Sequence, residues 1–321
     1  MRVLVTGGAG FIGSHVSEAL LRQGHEVGIL DELNDYYSPS QKRSNLECVR
    51  RVGPFDFHHG SLCEPDGVRK FMGRFRPEAI VHLAARAGVR PSLLQPLLYE
   101  QVNVQGTITL LEACREFDIS RFVFASSSSV YGIANQVPFR ENDSRLHPIS
   151  PYAATKLAGE HFCHVYAHLY GISAVCLRFF TVYGPRQRPD LAIRKFTAMI
   201  DAGESIPVYG DGSSGRDYTF IDDTVQGILA SLTFPCEFEV FNLGNSRPVP
   251  LSTLIATIEQ ELGRRARLSH LPEQPGDVPI TFADISKARL LLGYDPKTPF
   301  AEGIHKFVSW HHQHKELAVE V

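Results

Sequence analysis

Short apolar runs recur along this chain at roughly 2–5, 26–30, 55–59, 79–83, 121–126 and 173–178. They are nearly continuous rather than alternating, which is how strands buried on both faces read. Stretches with apolar residues at helical spacing separate them, at roughly 14–22, 66–75, 97–116, 151–169 and 191–202. In the first of these, Val16, Ala19 and Leu20 share one side. Strands alternating with helices predict an α/β fold, a Rossmann-type doubly wound parallel sheet covered on both faces. Pro- and Gly-rich stretches at 184–189 and 207–215 read as crossings into a smaller, interleaved C-terminal lobe. The expected division is 1–178 with 216–243 in the first lobe, and 179–215 with 244–321 in the second. No internal repeat or low-complexity tract interrupts the pattern.

The first strand runs straight into Thr6-Gly7-Gly8-Ala9-Gly10-Phe11-Ile12-Gly13, and a helical pattern follows. Glycines at 7, 10 and 13 allow a tight turn, close backbone approach to a pyrophosphate and a helix N-terminus aimed at its charge. The second strand ends at Asp31. A carboxylate there accepts hydrogen bonds from both ribose hydroxyls and repels a 2′-phosphate, so the expected cofactor is NAD rather than NADP. Lys42 and Arg43, farther along, are expected in a loop.

Composition excludes more than it assigns. With 32 Lys and Arg against 35 Asp and Glu the net charge is −3, and no basic stripe marks a nucleic-acid surface. No apolar run reaches the ~18 residues that span a bilayer. The N-terminus enters the first strand directly, so no signal peptide is expected. Cys48, Cys63, Cys114, Cys163, Cys176 and Cys236 show no Cys-x-x-Cys spacing. Reduced thiols and a cytoplasmic location are expected. His161, His164 and His168 lie along one predicted helix face near Cys163. No acidic partner completes a ligand set, so packing at a helix interface is expected rather than a metal. The Trp310-His311-His312-Gln313-His314 segment reads as a frayed amphipathic end.

The chemistry centres on Tyr152-Ala153-Ala154-Thr155-Lys156. A spacing of four puts Tyr152 and Lys156 on one helical face. A free tyrosine, with a pKa near ~10, is a poor base at neutral pH. A nearby ammonium, joined by a cationic nicotinamide, favours the phenolate. The strand 121–126 delivers Ser126, Ser127, Ser128 and Ser129 to the sheet edge where ligands bind.

At this point the chain resembles the extended short-chain dehydrogenase/reductase family, and within it the nucleotide-sugar epimerases. The resemblance covers nearly the whole chain. It rests on Thr6 to Gly13, His82-Leu83-Ala84-Ala85, Asn103, the serine strand, Tyr152 with Lys156, Arg178-Phe179-Phe180, Arg216-Asp217-Tyr218 and Pro275-Gly276-Asp277. It implies Ser127, four residues before Tyr131, as the hydroxyl that assists Tyr152. It also implies NAD held by Gly7, Gly10, Phe11, Ile12, Gly13, Asp31, Leu83, Ala84, Ala85, Asn103, Tyr152 and Lys156. Relatives usually place an aspartate against the adenine amine where this chain has Ser61, then Leu62; a hydroxyl can still accept that bond. Helices near 97–116 and 151–169 resemble the pair that forms a four-helix homodimer interface in the family.

The sugar is narrowed by the residues after Ser127. Family dehydratases and decarboxylases carry acidic residues there; this chain has Ser128 and Ser129. The Leu33-Asn34-Asp35-Tyr36-Tyr37 loop, the 178–190 segment and 274–279 resemble the UDP-glucuronate 4-epimerases. A hexuronate carboxylate can be held by hydroxyls and an arginine, for which Ser128, Ser129, Thr181 and Arg188 are candidates. Arg216 resembles the arginine that meets the UDP phosphates, and Asp277 the acceptor for the uridine ribose. Arg90 and Lys195 are further candidates to face the nucleotide. The expected reaction is C4 epimerisation of a UDP-hexuronate through a 4-keto sugar. UDP-glucose 4-epimerase and UDP-glucuronate decarboxylase are the nearest alternatives. A non-catalytic NAD-binding regulator is remote, given the intact Ser127, Tyr152 and Lys156.

Overall fold

The structure, a computed structural model, describes residues 1–133, 136–210, 212–272 and 278–315. The chain begins with β1 (Arg2–Thr6), α1 (Phe11–Arg22), β2 (Glu26–Asp31), α2 (Pro39–Val52), β3 (Asp56–His59), α3 (Pro65–Phe75) and β4 (Ala79–His82). Next come α4 (Val89–Leu94), α5 (Pro96–Glu100), a π-helical turn (Gln101–Gln105) and α6 (Gly106–Glu116). They lead to β5 (Arg121–Ser127), a 3₁₀ turn (Ser128–Tyr131), α7 (Pro151–Tyr170) and β6 (Ser173–Phe179). The remainder is β7 (Thr181–Tyr183), α8 (Ala192–Ala202), β8 (Ser205–Tyr209), β9 (Gly215–Phe220), α9 (Ile221–Leu232), β10 (Phe238–Leu243), β11 (Pro248–Pro250), α10 (Leu251–Leu262), β12 (Arg267–Leu271), α11 (Ser286–Leu292) and α12 (Phe300–Gln313).

Seven parallel strands form the main sheet in the order β3-β2-β1-β4-β5-β6-β10. The chain works outward from β1 in one direction and then crosses to β4 on its other side. That reversal opens a crevice at the carboxyl ends of β1 and β4, where ligands bind in doubly wound sheets. Both faces are covered. Val3 and Val5 point into one core with Val16 and Leu20, while Leu4 points into the other with Phe71 and Phe75. The first core continues without a break into Tyr183, Phe220 and Ile258 of the second lobe. That lobe carries a three-stranded sheet, β11-β9-β7, and a two-stranded one, β12-β8. Of the segment 216–243, β10 joins the large sheet and α9 packs beneath it, whereas β9 belongs to the small sheet. Among the described residues no helix is long and apolar enough to cross a membrane.

One local expectation changes. Lys42 and Arg43 lie in α2, not in a loop. Ser38 caps this helix by accepting from Ser40 N, and Pro39 occupies its first turn. Its apolar stripe is thin, with Leu46 and Val49 buried among many polar residues, so hydropathy alone does not reveal it. The stretch read as helical over 97–116 runs on unbroken helical backbone from α5 to α6, with a π-helical turn at 101–105 inside it. By contrast α7 has sharp ends: Ser150 accepts from Ala153 N, Pro151 opens the first turn, and Gly171 closes the helix at φ +68°.

Candidate active site

Backbone proximity builds the cofactor end of the crevice. Gly7 has φ +69°, and a Cβ there would meet the Ala84 backbone at 2.8 Å. A Cβ on Gly13 would lie 2.1 Å from the Gly7 carbonyl. Only glycine fits either place, and the cradle they leave suits a pyrophosphate. Asp31 closes the far end. Its two carboxylate oxygens accept from Ala9 N at 3.0 Å and Leu33 N at 2.9 Å. Burial raises its pKa, while the Leu33 N–H and the Lys42 charge pull it back. Asn45, on α2, donates to Ala9 O at 2.9 Å and ties the glycine turn to that helix.

Gly7, Gly10, Phe11, Ile12, Gly13, Asp31, Ser61, Leu62, Leu83, Ala84, Ala85, Tyr152 and Lys156 all line this crevice. Asn103 does not; it sits behind the wall. Its Oδ1 accepts from Arg86 N at 2.8 Å, and its Nδ2 donates to Arg86 O and to Thr155 Oγ1, both at 3.0 Å. Thr155 Oγ1 in turn donates to Tyr152 O at 2.8 Å. The same wall contains a neutral histidine. Thr107 Oγ1 donates to Asn103 O at 2.6 Å, so it can only accept from His82 Nε2 at 3.0 Å. His82 Nδ1 is then the acceptor for Thr6 Oγ1 at 2.7 Å, and Thr6 accepts from Ala84 N at 3.3 Å. Burial holds the imidazole pKa down at about 3, in keeping with this tautomer. One ordered chain of hydrogen bonds therefore runs from the cofactor turn to the backbone of Tyr152.

At the chemical end, Ser129 Oγ donates to Ser127 Oγ at 2.9 Å, and Ser129 N donates to the same oxygen at 3.2 Å. The Ser127 hydroxyl proton is left free to serve Tyr152, whose charged form Ser127 favours. Ser129 thus buttresses Ser127. Ser128 opens the 3₁₀ turn, half-buried. Lys156 Nζ donates to Ala125 O at 2.7 Å and stands 5.9 Å from the Tyr152 ring centroid.

The electrostatics differ from the expectation that Lys156 lowers the tyrosine. Burial raises the Tyr152 pKa, and the cation that pulls it down is Arg188, followed by the Ser127 hydrogen bond. The same burial lowers Lys156 to about 8. In a dry pocket both charged forms are penalised, so phenol and ammonium move toward neutrality together. Behind them Glu160 accepts both Arg178 Nε and Nη2, at 2.9 and 2.8 Å, and the Ser126 hydroxyl. This buried pair fixes the tips of β5 and β6 to α7.

The sugar end is assembled from separate segments. Arg188 lines the crevice, with its guanidinium 5.6 Å from the Tyr36 ring centroid. Thr181 opens β7, two residues after the crevice-lining Phe179. Arg90 is exposed and lies over the Tyr209 ring at 5.1 Å, bringing α4 to the end of β8. Arg216 Nη1 donates to Gly215 O at 2.9 Å and Pro279 O at 3.4 Å. Lys195 is exposed on α8. Asp277 lies outside the described residues. Tyr36 and Tyr37, from the loop whose resemblance helped narrow the sugar, also line the crevice with Lys42, though none of the three was given a site role from sequence. Lys42 Nζ donates to Asn34 O and Oδ1 at 2.6 and 2.7 Å.

His161, His164 and His168 are exposed on α7 rather than packed inside this chain. His164 meets Phe238 edge-on at 4.9 Å, and His168 Nδ1 lies 3.9 Å from Glu237. Among the described residues no group of three or more potential metal ligands converges.

Comparison with known proteins agrees with this geometry. The model of the NAD dependent epimerase/dehydratase family matches residues 3–244. The chain is 44% identical to UDP-glucuronate 4-epimerase 4 of Arabidopsis thaliana, over 96% of this chain and 75% of that one. The crystal structure of UDP-glucuronic acid 4-epimerase from Bacillus cereus, in complex with UDP-glucuronic acid and NAD, superposes with a TM-score of 0.91 at 36% identity. That match covers 98% of this chain and 99% of the other. The NAD complex of Thermus thermophilus UDP-glucose 4-epimerase gives 0.88 at 34% identity, covering 98% and 100%.

Proposed function

The chain belongs to the NAD dependent epimerase/dehydratase family, and we propose that it inverts C4 of a UDP-hexuronate, converting UDP-glucuronate to UDP-galacturonate. The observation that carries this reading is the Ser129–Ser127 hydrogen bond next to Tyr152, with Tyr152 and Arg188 together lining a crevice shaped for a dinucleotide. Named UDP-glucuronate 4-epimerases match nearly the whole chain. The cofactor is NAD. The Gly7–Gly13 turn would hold its pyrophosphate, Asp31 its adenosine ribose, Ser61 and Leu62 its adenine and Lys156 its nicotinamide ribose; when bound, it would supply reversible hydride acceptance at C4 of the sugar.

The protein's own residues manage the proton. Tyr152, as the phenolate, takes it from the 4-hydroxyl and becomes the phenol, and Ser127 favours the phenolate before the transfer. Lys156, next to the Tyr152 ring, favours that phenolate once charged. The 4-keto sugar turns about its link to UDP, and Tyr152 returns the proton on the opposite face. Ser128, Thr181 and Arg188 hold the carboxylate, and the absence of an acid at 128 and 129 leaves no second base for C5 chemistry. Arg90, Lys195, Arg216 and Asp277 serve the nucleotide. The lobes divide this labour: 1–178 with 216–243 for NAD, 179–215 with 244–321 for the UDP-sugar. The place of α9 and β10 in the large-sheet layer supports the return of 216–243, with β9 the part that stays in the small sheet.

The working form is a homodimer joined through α5–α6 and α7. Leu97, Val165 and Leu169 are exposed apolar residues on these helices, Leu97 at 83%. Six cysteines free of disulfides support a reducing, cytoplasmic setting. Purified protein incubated with UDP-glucuronate, without added NAD, tests the chemistry. NMR of the anomeric region is expected to reveal UDP-galacturonate. A UDP-pentose instead would make it a decarboxylase, and conversion of UDP-glucose alone would make it a UDP-glucose 4-epimerase.

A further inference from the structure

Arg188 reaches the crevice already engaged. Its Nε and Nη2 donate to Asp190 Oδ1 and Oδ2 at 2.9 and 2.8 Å, a side-on bidentate pair within one turn of chain. Among the described residues no other group accepts a hydrogen bond from this guanidinium. Asp190 was not among the residues singled out for the site, and it does not line the crevice. The pair stands beside Tyr36 and acts on Tyr152, so Arg188 belongs to the reacting end while Asp190, on its other side, is exposed.

We propose that Asp190 is a positioning residue that sets how firmly the sugar carboxylate is held, by occupying one edge of the Arg188 fork. This deepens, and rests on, the UDP-hexuronate reading above. A free guanidinium clamps a carboxylate strongly and with fixed geometry. A C4 epimerase cannot use such a clamp freely, because the flat ketone has to leave one orientation and present its other face. Contact made in the starting complex and broken during rotation lowers the energy of the ground state and slows turnover. With Asp190 on the Nε edge, Arg188 offers only its end-on N–H groups, and its charge is already met by a carboxylate. The substrate is recognised without being locked.

Asp190→Asn is the test, with wild type assayed in parallel on UDP-glucuronate. The expected result is a fall in both KM and kcat of roughly 5-fold, with kcat/KM nearly unchanged, the signature of a tightened ground state. Binding of UDP-glucose and of UDP, which lack the carboxylate, is expected to stay as in wild type. A second readout is the acid limb of the pH profile. Tyr152 faces Arg188, Ser127, Lys156, Tyr36 and Tyr99. Removing the Asp190 charge strengthens the Arg188 field on the phenol, so the limb is expected to move to lower pH. A fall in kcat with a raised KM, or equal changes in UDP-glucose binding, makes Asp190 a structural residue and overturns the proposal. Wild type that ignores UDP-glucuronate but turns over UDP-glucose overturns the substrate reading itself, and the proposal with it. Wild type active on UDP-glucuronate beside an unchanged variant overturns the proposal alone. Asp190→Ser supplies the same readings if the Asn variant fails to fold.

Discussion

Tyr152 carries the proton, and its neighbours decide when it can. Tyr152→Phe keeps the ring, its edge-on packing with Tyr99 at 6.3 Å and the helix around it. The variant is expected to retain NAD, measured after denaturing the purified protein, while epimerisation falls at least ~10³-fold, within the range general acid–base groups supply. Retained turnover would take the role from Tyr152. Lys156 makes the opposite trade. It is 4% exposed, and burial depresses its pKa from 10.5 to about 8. Below pH 8 the ammonium is present in folded and unfolded chains alike, so its burial costs stability in full. Between pH 8 and 10.5 the folded chain gives up the proton first, and this residue's contribution to stability rises with pH. Lys156→Met is therefore expected to be inactive yet more stable than wild type at pH 7, by about 1–3 kcal/mol, with the gap narrowing toward pH 10. Urea unfolding of the two proteins at both pH values measures it.

At the scale of elements, α7 is the part that must lie close. Gly159 faces β5, and a Cβ there would come within 2.3 Å of the Phe124 ring. Gly159→Ala has to push α7 away from the strand that carries Ser127. The expected cost is about 1–3 kcal/mol of stability, despite the better helix propensity of alanine, with a lower kcat as Tyr152 and Ser127 separate. A more stable variant with normal turnover would contradict that packing. Much of this element was legible in sequence, because Ser150-Pro151 and Gly171 are local start and stop signals. α2 was not, since its buried residues are few and mostly polar, Gln41, Lys42 and Asn45 among them. The π-helical turn at 101–105 also escaped, because it changes hydrogen bonding without changing the apolar pattern.

Across the whole molecule, the lobes are pinned by a buried ion pair. Arg186 Nη1 donates to Glu18 Oε1 at 2.5 Å, with both side chains about nine-tenths buried. Arg186 also has φ +67°, in the left-handed region that side chains disfavour. Gln41 Nε2 donates to Arg186 O at 3.1 Å, and Arg194 Nη1 to Gln41 Oε1 at 2.6 Å, so α1, α2 and α8 all grip the segment ending in Arg188. Glu18→Gln leaves Arg186 buried without its counter-charge. It is expected to cost about 3–5 kcal/mol in chemical unfolding and to raise KM for the UDP-sugar, since Arg188 lies two residues on. An unchanged KM would mean the latch serves stability only.

The sequence by itself determined the reaction class, the cofactor turn and the strand–helix alternation, because each is written in residues adjacent in the chain or one helical turn apart. Glycine spacing, a carboxylate at a strand end and a Tyr-to-Lys step of four act through local backbone geometry. Only the tertiary structure decided that Ser129 buttresses Ser127, that Asn103 stands behind the crevice wall, and that Arg188, from a distant segment, acts on Tyr152. Those facts depend on which side chains from distant segments share a few ångströms of dry space. Hydrogen-bond direction and desolvation are properties of that space, not of any one stretch of chain.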